Sequence, residues 1–152
     1  MNKEQVCKLL RGFENDGIIC YAYRETAFAL LADGKCDGTL HLITDAPAGN
    51  VSDVLTKNDC RDITQLGDVI DAKLAQQSVK VKLIDGDMDK LTKTICRPLT
   101  VCSLMRRANG DVYDEFGGMD DLNAKILRKT DAPIRDKNYF CTFCFDLTLK
   151  RG

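Results

Sequence analysis

The sequence predicts an α+β fold, a mixed sheet with helices mainly on one face and a hairpin toward the C-terminus. Three observations carry that expectation. Short runs rich in β-branched and aromatic residues alternate with stretches of helical periodicity, as in Ile18–Tyr23 followed by Arg24–Ala32. The run 78–84 (SVKVKLI) alternates strictly between apolar and polar residues, the mark of a half-buried strand. Asn109-Gly110 sits between two further strand-like runs, a strong hairpin signal.

In chain order, Val6, Leu9, Leu10 and Phe13 share one face of a helix over residues 3–14, and Asn15-Asp16-Gly17 stops it. The buried strand 18–23 and the helix 24–32 follow, the latter ending at Asp33-Gly34. In the strand 39–44 (TLHLIT), Leu40, Leu42 and Thr44 fall on one face and Thr39, His41 and Ile43 on the other. Asp45-Ala46-Pro47 opens another helix with Val51, Val54 and Leu55 on its apolar side. Residues 62–76 space Ile63, Leu66, Val69, Ile70 and Leu74 as a helix does, although Gly67 interrupts them. Strand 78–84 turns Lys80 and Lys82 toward solvent or a ligand. The turn DGDMD, a short helix over 90–95, a strand over 99–107 and its hairpin partner 112–116 complete the pattern.

With 152 residues the chain is expected to form one domain, 1–152, with a core large enough to fold without staples. A net charge of −1, from 22 basic and 23 acidic residues, gives no overall electrostatic footprint for nucleic acid. No window approaches the roughly 20 apolar residues of a membrane span, and the charged N-terminus is not that of a signal peptide, so a cytoplasmic protein with no membrane partner is expected. Eight cysteines in that setting read as reduced thiols, several of them small core residues. Cys141-Thr-Phe-Cys144 has the spacing of half a zinc site or a redox pair, but it has no second CxxC to complete it.

The stretch 114–128, DEFGGMDDLNAKILR, anchors the remainder. Together with the run LTVCSLM at 99–105, the hairpin, and Asp131-Ala132-Pro133, it resembles the head, or palm, of the class II CCA-adding enzymes and bacterial poly(A) polymerases. That family reads approximately RRDFT-I-N-A-L-A, a hairpin with a D-x-F-G-G-x-x-D-L turn and helix, then an LR strand and a D-P. The resemblance implies a nucleotidyltransferase-like palm over nearly the whole chain. On this resemblance no counterpart of the family's RNA-holding helical neck, body and tail is expected after Phe145.

The family's chemistry requires two carboxylates spaced Asp-x-Asp on the second strand, plus a third nearby, holding Mg²⁺ ions that bridge the attacking oxygen and the nucleotide phosphates. The resemblance places Thr39 and His41 at the first two positions and Pro98 at the third. The glycine pair that would cradle a triphosphate falls at Arg24-Glu25 or Glu25-Thr26. The expectation is therefore a degenerate nucleotidyltransferase with no cofactor, acting as a binding module for a protein partner, a nucleotide or RNA. The alternative is an active RNA nucleotidyltransferase using Mg²⁺ and nucleotide, its metal ligands moved to Asp85, Asp87 and Asp89, although Asp and Gly in DGDMD are also what a plain turn requires.

Three further features have bland readings beside functional ones. His41, the only histidine, suits a hydrogen-bonded, half-buried strand residue as well as a catalytic one. Arg106, Arg107 and Arg128 could form a phosphate-binding edge if their strands adjoin, or an ordinary charged edge that resists aggregation. The aromatic tail 139–145 suits core packing first, and a stacking platform second.

Overall fold

The computed structural model describes residues 2–32, 34–36 and 38–132, apart from the side chains of Met88 and Asp89. The aromatic tail, its CxxC and Pro133 lie outside them. Among the described residues the elements run α1 (Lys3–Asn15), β1 (Cys20–Ala22), α2 (Arg24–Leu31), β2 (Leu40–Thr44), α3 (Ala48–Lys57), β3 (Cys60–Leu66), β4 (Val69–Leu74), β5 (Gln77–Leu83), α4 (Met88–Ile95), β6 (Leu104–Arg106), β7 (Val112–Asp114) and α5 (Gly118–Ala124). No helix among them is long and apolar enough to cross a membrane.

The seven strands form one mixed sheet in the order β3-β4-β5-β2-β1-β6-β7. Strands β2 and β5 pair in parallel, with His41 opposite Lys80, and the remaining pairs are antiparallel. Strand alternation divides the side chains between two faces. Cys20, Ala22, Leu40, Leu42, Val79 and Val81 join α1, α2 and α3 in the main core, where Phe13, Leu10 and Val51 are fully buried. Full burial of each such side chain is worth about 1.5–3 kcal/mol. The opposite face carries Tyr21, Tyr23, Ile43 and Met105, and α4 covers part of it with Leu91 and Ile95. Helices thus lie mainly on one face, as expected.

Helix α1 starts with a capping box: Asn2 accepts the N–H of Gln5, and the Gln5 side chain accepts the N–H of Asn2. It ends at the expected turn, where Gly17 adopts φ +74°. Asp68 accepts from Lys82 at 2.8 Å and from Lys90 at 2.6 Å, tying the β3–β4 turn to β5 and α4. The two lysine bonds hold its carboxyl down at about 2.

Two sequence expectations are corrected. Residues 62–76 form the β3–β4 hairpin rather than a helix, turning at Gly67-Asp68 with Gly67 at φ +61°. Leu66, which completed the helical spacing, is 81% exposed; the inward pair is Ile70 and Ala72, two residues apart. The run 99–107 is a strand only at Leu104–Arg106, preceded by a 3₁₀ turn at Thr100–Cys102. Side chains hold that turn: the Ser103 hydroxyl accepts the Arg97 N–H and donates to the Leu99 carbonyl, while the Thr100 hydroxyl donates to Asp121 at 2.6 Å. The run is buried on all sides, so its apolar pattern carries no strand period.

The anchoring stretch closes over this turn. Asp114 accepts the N–H groups of Gly118 and Met119 at the start of α5, and Asp121 accepts from both Thr100 and Arg128. Those partners depress the Asp121 carboxyl, the Thr100 hydrogen bond first. Phe28, Leu99, Val101, Cys102 and Leu122 pack together beneath it.

Candidate functional site

Strand β1 leads through Tyr23 directly into α2, and two backbone-anchored bonds fix that junction on β2. The Tyr23 N–H donates to the His41 carbonyl at 3.0 Å, and the His41 N–H donates to the Thr26 hydroxyl at 2.9 Å. The junction requires Arg24 to adopt φ +55°, a left-handed conformation that glycine takes freely and side-chain-bearing residues rarely do. A strained backbone position of this kind costs of order 1–3 kcal/mol.

The His41 imidazole lies under the Tyr23 ring, edge to face at 5.9 Å between centroids, with 13% of its side chain exposed. Its Nε2 is 3.9 Å from Glu25 Oε2. Burial depresses its pKa to about 4; the positive charges of Arg24, Arg97 and Lys80 act in the same direction and Glu25 opposes them. The imidazole is accordingly neutral at pH 7. Arg97 is itself pushed down by burial and then by Arg24, so the two guanidinium groups repel one another. Arg24 Nε is buried and makes no hydrogen bond, standing 3.5 Å from Glu25 Oε2. Among the described residues Arg97 makes no ion pair, whereas Lys80 is matched by Asp71 at 3.0 Å.

Of the sequence candidates His41 sits in this cluster, and Pro98 follows its Arg97 in the chain. Pro98 is half-buried, and its carbonyl accepts the Thr130 N–H. Thr39, just before β2, opens instead onto a groove of about 590 Å³ lined by Gln5, Gly38, Leu74 and Gln76. Arg106 donates to Cys7 Sγ and to the Arg107 carbonyl, and Arg107 pairs with Glu14 at 3.1 Å, so both turn toward α1. Arg128 is engaged separately, with Asp121 at 3.2 Å. Asp87 caps α4 by accepting the Lys90 N–H, and Asp85 is an exposed turn residue at φ +51°.

A threonine hydroxyl, an imidazole and a proline do not make a Mg²⁺ site, which needs hard anionic oxygens. Glu25 is the carboxylate that lies beside His41, and the surrounding charges are cationic. No group of three or more His, Cys, Asp or Glu side chains among the described residues could hold a metal ion.

Sequence reasoning named Arg24 and Glu25 as replacements of a glycine pair but missed the convergence of Tyr23, Arg24, Arg97 and Lys80 on His41. Lys80 carried a signal in its polar position on an alternating strand. Arg97 carried one too, adjoining the third carboxylate position.

No protein-family model matches the sequence, and no curated protein matches it. Solved structures do. A tRNA-processing enzyme in an apo form matches 83% of the chain with TM-score 0.63 at 16% identity, over 36% of its own length. A CCA-adding enzyme in complex with CTP matches 81% at TM-score 0.64 and 16% identity, over 32% of its length. The Bacillus stearothermophilus CCA-adding enzyme in complex with CTP matches 83% at TM-score 0.60 and 16% identity, over 33% of its length. The chain thus spans about a third of these proteins. The likeness is one of fold, and it bears out the nucleotidyltransferase-like head expected from the anchoring stretch.

Proposed function

We propose that this chain is a nucleotidyltransferase-fold binding module that takes a nucleotide or RNA without metal and does not transfer nucleotides. The observation that carries the reading is His41. At a position where the resemblance puts a metal-binding carboxylate, the chain has a neutral imidazole in the field of the positive charges of Arg24, Arg97 and Lys80. Such a cluster repels divalent cations and attracts phosphate.

The left-handed Arg24 supports matching Arg24-Glu25 with the family's glycine pair, since that conformation is one glycine adopts freely. Nucleotide as ligand is supported by fold neighbours solved with CTP and with ATP. Metal stabilisation of phosphoryl-transfer charge is worth several kcal/mol, and each 1.36 kcal/mol is about tenfold in rate, so losing the carboxylates removes most of the activity. Relocation of the metal to DGDMD gains no support, because Asp87 is engaged in capping α4.

Supplied with Mg²⁺, labelled nucleoside triphosphates and an RNA primer, the protein is expected to incorporate no label. In EDTA it is expected to bind AMP or a short oligoribonucleotide by calorimetry. Primer extension would overturn the non-catalytic assignment, and absence of binding by both ligands would overturn the binding assignment.

A further inference from the structure

We propose that the side-chain cluster around His41 takes a terminal phosphate monoester as its dianion, together with a proton on the His41 imidazole. This rests on the chain being a metal-free binder of nucleotide or RNA, and it names the group that is bound.

The charges facing His41 come from each element packed against it. Helix α2 supplies Arg24 and Glu25, β5 supplies Lys80, the segment before the 3₁₀ turn supplies Arg97, and the junction between β1 and α2 supplies the uncharged Tyr23. Lys80 is already balanced by Asp71 on β4. Arg24 and Arg97 against Glu25 leave one positive charge, and a proton on the imidazole makes two. A phosphate monoester, whose second pKa is about 6, carries close to two negative charges at pH 7, whereas an internal phosphodiester carries one.

Donor supply points the same way. The buried Arg24 Nε has no acceptor, Arg97 makes no ion pair among the described residues, and a protonated imidazole would add Nε2–H. Three terminal oxygens of a monoester can use these donors; a diester offers two.

Proton uptake follows from the same arrangement. In the free protein, burial and the guanidinium groups keep the imidazole neutral. A dianion resting against Arg24 and Arg97 cancels their repulsion of an imidazole proton, and Glu25, 3.9 Å away, then favours the charged ring.

Because His41 is the only histidine, its imidazole resonances report directly on the wild-type protein. The ring is expected to stay neutral down to about pH 5 in the free protein and to become imidazolium at pH 7 on saturation with AMP. AMP is expected to bind at least about tenfold more tightly than its methyl phosphodiester or adenosine, and Arg97→Gln to weaken AMP by roughly tenfold while leaving adenosine unchanged. A 5′-phosphorylated oligoribonucleotide that also protonates the ring would place the phosphate on RNA ends; a response to AMP alone would place it on free nucleotide, and either supports the proposal. A methyl diester bound as tightly as AMP, a ring that stays neutral in the AMP complex, or an unchanged Arg97→Gln would overturn it, as would RNA binding without AMP binding. These outcomes leave the metal-free binding module standing. If AMP and RNA both fail to bind, both readings fall.

Discussion

Alanine at Gly118 is expected to be far more damaging than alanine at Gly117, although the two residues are neighbours. At Gly117 the difficulty is conformational: φ is +76° and ψ 21°, but an added Cβ would meet nothing within 4 Å. A left-handed alanine costs about 1–2 kcal/mol, and asparagine should recover part of that. At Gly118 the difficulty is space: the added Cβ would collide with the Thr100 carbonyl oxygen and stand 2.9 Å from its carbon and 3.0 Å from Leu104 Cγ. That carbonyl cannot easily retreat, because it accepts the Ser103 N–H while the Thr100 N–H and hydroxyl are bound to Arg128 and Asp121. Overpacking against fixed backbone costs about 3 kcal/mol or more, a large share of the 5–15 kcal/mol of a typical domain. Equilibrium urea unfolding reads the difference: with a slope near 2 kcal/mol per molar, the midpoint should fall by about 0.5–1 M for Gly117→Ala and by about 1.5 M or more for Gly118→Ala. Equal losses, or a milder Gly118→Ala, would refute the claim that α5 is packed directly on the 3₁₀ turn.

Two other perturbations test the electrostatic account. His41 has a folded pKa of about 4 against the ordinary histidine value of 6.5, so between those values the unfolded chain holds a proton that the folded chain refuses. Stability should therefore fall as pH drops through that window, by up to about 3 kcal/mol at 1.36 kcal/mol per pKa unit. Urea midpoints from pH 7 to 4.5 should decline less steeply in His41→Gln, and identical slopes would show that the ring is not held neutral. Asp121→Ala should cost about 2–4 kcal/mol, since it strands the buried Thr100 hydroxyl and leaves Arg128 unpaired. A loss below about 0.5 kcal/mol in the same unfolding measurement would mean that the bond from the Thr100 hydroxyl does not hold the turn.

Much of the fold was legible because most elements follow local rules. The α1 cap and stop, the alternation of β2 and β5 and the Asn-Gly hairpin each express backbone chemistry within a few residues. The errors arose where long-range contacts decide. Leu66 looks like a core residue in sequence yet lies at a hairpin tip, and the strand expected over 99–107 is broken by bonds from Ser103 and from Asp121, which is 21 residues beyond Thr100. Likewise, Asp-x-Asp positions can be counted along a strand, whereas the meeting of Arg24, Arg97 and Lys80 at His41 depends on which strands adjoin.

The register shift in β3 has a consequence for solubility. Among the described residues β3 is an outer strand of the sheet, seven residues long, and an outer strand of that length offers unpaired N–H and C=O groups to any passing chain. Between Arg61 and Thr64 its pairing slips, and Asp62 takes φ +54°. That kink interrupts the row of backbone groups with a charged pair, Arg61-Asp62, beside it. A second molecule could match only short pieces of the strand, so the edge is guarded against fibre-like stacking even with Leu66 exposed at its end.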